Sequence, residues 1–165
     1  MKKYPHLEVR GSDIHHRGVF AARDIKKGEK VIEYTGRKLN SAQADRSQSD
    51  YLFQLTSKIF IDGKNTARYI NHSCNPNCEV EITRGQIWIK SLRKIKRGEE
   101  LVYSYSYDLE ESQDYPCRCG APRCAGYILD KYYWPQLKRL QKKQQNQKAK
   151  LSSSIKTRST SKQVL

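Results

Sequence analysis

The sequence predicts a mainly β fold of small sheets, with short helices and a C-terminal helix, and three observations carry that prediction. Seven short segments rich in β-branched or aromatic residues follow one another up to about residue 107. The dipeptides Lys27-Gly28, Asp62-Gly63, Arg84-Gly85 and Arg97-Gly98 separate several of them as turn signals. No helix of 10 to 15 residues alternates with the strands, which excludes a parallel sheet of βαβ units.

In chain order the predicted strands are VFAA near Val19, KVIEYTG near Ile32, YLFQL from Tyr51, KIFID near Phe60, EVEIT from Glu79, QIWIKSL near Trp88 and LVYSYSY from Leu101. Gln86-Ile87-Trp88-Ile89-Lys90 alternates cleanly, as a half-buried strand must. Residues 41–47 (SAQADRS) read as a short helix capped by Ser41, and 66–71 as a further helical turn. Residues 108–116 are acidic and turn-like, and 117–124 form a compact cysteine knuckle. After Trp134-Pro135 comes strong helix material in which only Leu137 and Leu140 offer an apolar face, so this helix is expected to fray beyond about residue 150. No internal repeat is evident.

At 165 residues the chain fits one domain. Its net charge of +15 is uneven: residues 136–165 hold nine Lys or Arg and no acid, leaving +6 for the remainder. Such a tail favours polyanions, nucleic acid above all, or else merely solubilises the terminus. No stretch is long and apolar enough to span a membrane, and MKKYPHLEVR lacks the apolar core of a secretion signal, so an intracellular protein is expected. In a reducing compartment its five cysteines read as thiols or metal ligands rather than disulfides.

Cys117, Cys119 and Cys124 lie within eight residues as C-R-C-G-A-P-R-C. Their thiolates can converge on one tetrahedral ion, most naturally zinc, where Gly120 and Pro122 bend the chain between them. A closed four-thiolate site needs one more sulfur, and only Cys74 and Cys78 remain to supply it. Both flank the turn Asn75-Pro76-Asn77, beside the pair Asn71-His72.

Six ordered pieces then make a resemblance. R-G-V-F-A (17–21), G-E-K-V-I-E-Y-T-G (28–36), Y-L-F (51–53), A-R-Y-I-N-H-S-C-N-P-N (67–77), G-E-E-L-V-Y-S-Y (98–105) and C-x-C-G-x3-C-x-G (117–126) resemble, over residues 1–130, a SET-domain protein-lysine methyltransferase with a C-terminal post-SET zinc motif. The resemblance implies a SET domain over 1–116, a post-SET zinc motif over 117–130 and a basic helical or disordered tail over 131–165. It implies small β-sheets in which the second signature passes beneath the N-H-S-C loop as a pseudoknot, and S-adenosylmethionine as methyl donor. Zinc is then structural, held by Cys74, Cys117, Cys119 and Cys124, with Cys78 a small core residue.

The chemistry so implied has a definite requirement. The nucleophile is a neutral amine, yet a lysine of pKa about 10.4 is neutral only about once in a thousand molecules near pH 7.4, a deficit of roughly 4 kcal/mol. A sulfonium beside the entering ammonium in a desolvated channel lowers that pKa, so no strong protein base is needed. Tyrosine suits the channel, because its ring holds a cationic head while its hydroxyl orients the amine, and the chain has 11 of them. By resemblance Tyr105 is the catalytic tyrosine, Tyr34 and Tyr51 line the pocket, Tyr107 stacks at its rim, and Asn71 and His72 hold the donor. Arg68 supports that loop, Gly18 lets backbone approach the donor, and Arg17 and Val19 lie beside it. Tyr103 stands where the family has Phe or Tyr; its hydroxyl can hold a water in the space of a second methyl group and so favours monomethylation. Glu33 is expected to be a salt-bridging residue.

The implied substrate is a protein lysine, in a histone or histone-like tail, with nucleic acid touched by the basic tail and no membrane partner. Two rivals stand beside it: a catalytically inactive, zinc-stapled chromatin or nucleic-acid binding module, and a lysine methyltransferase of non-histone proteins. The corresponding location is the nucleus and chromatin in a eukaryote, or the cytoplasm and nucleoid in a bacterium.

Overall fold

A computed structural model describes residues 4–159, with side chains through residue 149. Among the described residues, ten strands form three small sheets. The first holds β1 (Leu7–Gly11), β2 (Arg17–Ala21), β10 (Glu100–Tyr103) and β7 (Asn71–His72) in the order β1-β2-β10-β7. The second, ordered β3-β9-β8, joins β3 (Lys30–Tyr34), β9 (Gln86–Ser91) and β8 (Cys78–Thr83). The third, ordered β4-β6-β5, joins β4 (Gly36–Asn40), β6 (Ile59–Gly63) and β5 (Leu52–Thr56). The mainly β architecture of small sheets is therefore as expected.

Local chemistry explains the best-formed hairpin. Arg84 and Gly85 both have positive φ, 50° and 73°, between the paired residues Thr83 and Gln86. That is the backbone of a two-residue turn whose twist matches the strands it joins. Along β9 the side chains alternate, with Ile87, Ile89 and Ser91 buried and the intervening residues more exposed. The inward faces of the sheets share one core, in which Val19, Ile25, Ile32, Ile89, Ile95 and Leu101 are fully buried.

Several expectations need correction. The segment KVIEYTG breaks at Thr35 into the end of β3 and the start of β4, because the strand leaves one sheet for another. LVYSYSY is strand only to Tyr103; Ser106 has a positive φ of 58° and cannot continue the ladder. Gly63 ends β6 rather than marking a turn, and a Cβ there would run into the ring and hydroxyl of Tyr34. Helix α1 (Ser41–Asp45) is capped not by Ser41 but by Asn40, whose side chain accepts from the Gln43 amide while Gln43 bonds back. The turn at Thr66–Tyr69 is 3-10 and stops short of Asn71, which begins β7. Helix α2 (Trp134–Ser159) continues through residue 150 instead of fraying there, and the rest of the expected frayed end lies outside the described residues.

An internal repeat is also present. Residues 22–29 (ARDIKKGE) and 92–99 (LRKIKRGE) have the same plan, and their central residues Ile25 and Ile95 bond each other in both directions, at 2.8 and 3.0 Å.

Candidate active site

The site is built where β7 meets β10. These two strands run parallel, Val102 beside Asn71 and Tyr103 beside His72, and the loop that follows β7 grips β10 further along. Ser73 donates its amide to the Tyr103 carbonyl at 3.1 Å, and Asn77 donates its own to that of Val102 at 3.2 Å. The Asn77 side chain completes the clasp: its Nδ2 donates to the Glu100 carbonyl at 2.7 Å and its Oδ1 accepts from the Val102 amide at 2.9 Å. Buried backbone groups must find partners, and a strand of two residues leaves many unpaired; the Asn77 amide supplies them.

Asn71 is buried, and its Nδ2 faces the Arg17 carbonyl at 2.9 Å and Glu100 Oε1 at 2.8 Å. Ser12 Oγ also donates to Glu100 Oε1, at 2.8 Å. This network fixes the start of β2 against β7 and β10. It gives Gly18 its reason, because a Cβ there would strike the Glu100 carboxylate. Neither Ser12 nor Glu100 was singled out in the sequence, since nothing local marks two polar residues 88 positions apart as partners.

His72 is buried and its Nδ1 accepts from the Tyr105 amide at 3.2 Å, which assigns the ring proton to Nε2, 3.6 Å from Cys74 Sγ. Burial pushes the imidazole down to about 4, so it is neutral at physiological pH. The Tyr105 hydroxyl donates to the Ile70 carbonyl at 2.9 Å, and the Tyr34 hydroxyl to the Tyr51 carbonyl at 2.8 Å. With each proton committed to a backbone carbonyl, what these oxygens present elsewhere is lone pairs. Burial raises both phenols far above the ordinary range, and Tyr103 likewise, so all three stay neutral. Tyr107 is pushed up to about 12 by burial and by Glu111.

The aromatic rings form one wall. Tyr103 lies 5.0 Å from Tyr105 and 6.2 Å from Phe53 between ring centres, while Tyr34 lies 5.2 Å from Phe53 and Tyr107 6.1 Å from Tyr105. Phe53 is thus the hub of the wall, although the sequence offered it only as part of Y-L-F. A second stack alternates cation and ring. The Arg68 guanidinium sits 5.1 Å from the Tyr51 ring and 4.6 Å from the Tyr69 ring, and Arg17 approaches the Tyr69 ring at 5.7 Å. Arg68 also donates to the Tyr69 hydroxyl, which lowers that phenol. Tyr69, between two arginines, was not anticipated.

Both sets of rings line one cleft of about 1510 Å³. Of the expected site residues, Arg17, Tyr34, Tyr51, Arg68, Asn71, His72, Tyr103 and Tyr105 face it, with Tyr107. Gly18 and Val19 do not: Val19 is fully buried in the core, and Gly18 packs beside Glu100. Glu33 forms no ion pair among the described residues; it accepts from Gln86 Nε2 at 3.0 Å, away from the cleft. One buried side-chain atom among the described residues lacks a partner, Arg68 Nε. An orphaned guanidinium nitrogen in a cleft wall, close to Arg17, fits a ligand that carries a carboxylate and an aromatic base.

Beside the cleft, which Cys117 lines, the four expected cysteines converge. The sulfurs of Cys74, Cys117, Cys119 and Cys124 all lie within 4.8 Å of one another, with Cys74 3.8 Å from Cys117 and 3.9 Å from Cys124. Zinc at about 2.3 Å from each of four sulfurs sets them about 3.8 Å apart, the spacing that two of the pairs already have, so the cluster suits zinc. Amides face the sulfurs, Cys74 N at 3.4 Å from Cys119 Sγ and Ala125 N at 3.5 Å from Cys74 Sγ. Burial opposes ionisation of Cys119, yet the Cys74 and Ala121 amides together with the Cys117 and Ser73 side chains outweigh it and bring the thiol down to about 7. Cys78 stands apart, buried at the start of β8.

A family model for the SET domain matches residues 16–106. The chain is 42% identical over 133 residues to the histone-lysine N-methyltransferase trr of Drosophila melanogaster, 41% to histone-lysine N-methyltransferase 2B of Homo sapiens, and 40% to the H3 lysine-4 specific histone-lysine N-methyltransferase of Schizosaccharomyces pombe. Each match covers 71% of this chain but only 6%, 5% and 14% of those proteins, so the chain spans a small part of their length.

Proposed function

The chain belongs to the SET-domain family, and from that membership and the cleft we propose that it transfers a methyl group from S-adenosylmethionine to the ε-amine of a lysine in a histone or histone-like protein, chiefly to the monomethyl stage. The observation that carries the proposal is the aromatic wall: three neutral phenols, Tyr34, Tyr103 and Tyr105, converge beside the Asn71-His72 loop. The curated relatives named as histone-lysine methyltransferases support the substrate class.

S-adenosylmethionine, when bound, supplies an electrophilic methyl group on a sulfonium centre. Arg17 and Arg68, with Tyr51, Asn71 and His72, would hold it. The chain's own groups do the rest. Rings of Tyr34, Phe53, Tyr103 and Tyr105 shut out bulk water and disfavour the charged ammonium, moving the entering lysine toward its neutral form. The Tyr105 and Tyr34 oxygens, whose protons go to Ile70 and Tyr51, accept from the amine N–H groups and aim the nitrogen lone pair. Neutral His72 receives the Tyr105 amide and fixes that ring in place. No member of the wall is basic enough to take a proton, so the ammonium proton leaves through water.

Purified protein incubated with labelled donor and core histones, followed by mass spectrometry, tests the reading. Monomethyl-lysine should form, and Tyr105→Phe should lower the rate by about a hundredfold or more while donor binding by calorimetry persists. Donor binding without transfer to any protein in a cell lysate would favour a binding module, and neither binding nor transfer would defeat the proposal.

A further inference from the structure

The repeated segments at 22–29 and 92–99 build a surface that the methyl-transfer reading does not use. In each, an arginine at the second position pairs with a glutamate at the eighth: Arg23 with Glu29 at 2.5 Å, and Arg93 with Glu99 at 2.8 Å. In each, a tight turn follows the buried isoleucine, closed by the Glu29 amide on the Lys26 carbonyl at 3.2 Å and the Glu99 amide on the Lys96 carbonyl at 3.1 Å. Gly28 and Gly98 hold the third position with φ of 79° and 86°, as a turn with left-handed backbone there requires. The reciprocal Ile25 and Ile95 bonds set the two turns side by side.

The acids of these segments are already committed. Glu29 and Glu99 take the arginines, and Asp24 takes Lys94 at 2.7 Å. Glu100, next along, faces inward to Ser12 and Asn71. Four exposed cations remain, Lys26 and Lys27 on one turn and Lys96 and Arg97 on the other, none with an ion-pair partner among the described residues. Arg10, stacked over Phe20 and donating to the Gly98 carbonyl at 3.1 Å, flanks them as a fifth.

We propose that these paired turns are a docking surface for the phosphate backbone of duplex DNA. The ion pairs rigidify the loops while leaving the four outer charges unneutralised, which is the arrangement that binds phosphate without reading sequence. Neither segment contains an aromatic residue, so bases have nothing to stack on and an unpaired strand gains no advantage. Position matters too. β2 runs from Arg17 at the cleft to Ala21 near the first turn, and β10 from Glu100 near the second turn to Tyr103 at the cleft. A five-residue strand spans about 16 Å. DNA held at the turns therefore leaves the cleft open.

Fluorescence anisotropy of the full chain on a labelled 20-base-pair duplex, titrated over several salt concentrations, tests this directly. Replacing Lys26, Lys27, Lys96 and Arg97 together by Gln should reduce the slope of log affinity against log salt by about 3 to 4, at about 0.9 per lost phosphate contact. The pairs K26Q/K27Q and K96Q/R97Q should each remove about half. Methylation of a free peptide and thermal melting should be unchanged in all three, which separates this result from the fate of the methyl-transfer proposal. An unchanged slope overturns the inference, as does a slope lost only on neutralising Lys142, Lys143 and Lys148 in α2. Tighter binding of a single strand, or equal competition by polyglutamate at matched charge, overturns it as well.

Discussion

Tyr103 lies within the aromatic wall, buried between Phe53 and Tyr105. Its ring contributes packing, and on this reading its hydroxyl holds a water in the space that a second methyl group needs. Removing the hydroxyl by Tyr103→Phe keeps the rings in place and releases that water, whose share of volume is about 30 Å³. Mass spectrometry should then show dimethyl and trimethyl products rising at the expense of monomethyl, with the rate of the first transfer within a few-fold of the parent. A product spectrum unchanged by the substitution would sink this account of Tyr103. The residues of the wall were legible because R-Y-I-N-H-S-C and L-V-Y-S-Y are contiguous signatures. Phe53 and Tyr69 were not, because their role depends on which rings the fold brings alongside. Neither Gly18 nor Val19 lines the cleft, and nothing local in the sequence showed that the Glu100 carboxylate fills the space a Gly18 Cβ would need.

Sheets β4-β6-β5 and α1 form a small lobe over the cleft, and a buried carboxylate anchors it. Asp62 accepts from Ser49 Oγ at 2.7 Å and faces Lys64 at 3.0 Å and Arg37 at 3.6 Å. The Ser49 hydroxyl foremost, with Lys64 and Arg37, outweighs burial and holds the Asp62 carboxyl below its usual range. Lys64 and Arg37 are exposed, so each adds only a few tenths of a kcal/mol; the hydrogen bond to a charged acceptor adds about 1.5 to 3 kcal/mol. Because the folded value is the lower one, the stabilisation is complete at neutral pH and disappears as pH falls through the carboxylate range, below about 4. Asp62→Asn should therefore cost about 2 kcal/mol in urea unfolding at pH 7 and progressively less toward pH 3. A constant difference across that range would contradict it. At this scale the strands with alternating or β-branched sequence were readable, while β1, nearly all exposed, and β7, two residues long, were not. Each exists because a neighbour supplies its hydrogen bonds, information that no local pattern carries.

Across the whole molecule, the signature loop and the cysteine knuckle are 43 to 50 residues apart in sequence and a few ångströms apart in space. The spacing of Cys117, Cys119 and Cys124 suited a metal and left Cys74 and Cys78 open as the fourth ligand; the resemblance named Cys74, and Cys74 is the one that joins the cluster. The knuckle is more than a staple, because Tyr115, Pro116, Cys117, Arg118 and Ile128 line the same cleft as Tyr105. Beyond the sulfurs it is tied back by single bonds, such as the Asp130 amide on the Tyr107 carbonyl. Four thiolates brought this close repel one another unless a cation holds them. Chelation, or Cys124→Ser, should thus release one zinc per chain and loosen the knuckle and the 72–77 loop together, leaving the β3-β9-β8 sheet, whose core does not include the cluster, folded. Hydrogen exchange read by mass spectrometry should lose protection over 72–77 and 115–129 while 78–91 stays protected, and methyl transfer should fall in step with zinc content. Full activity in metal-free protein, or loss of protection spread evenly over all three sheets, would show that the cluster does not shape the cleft.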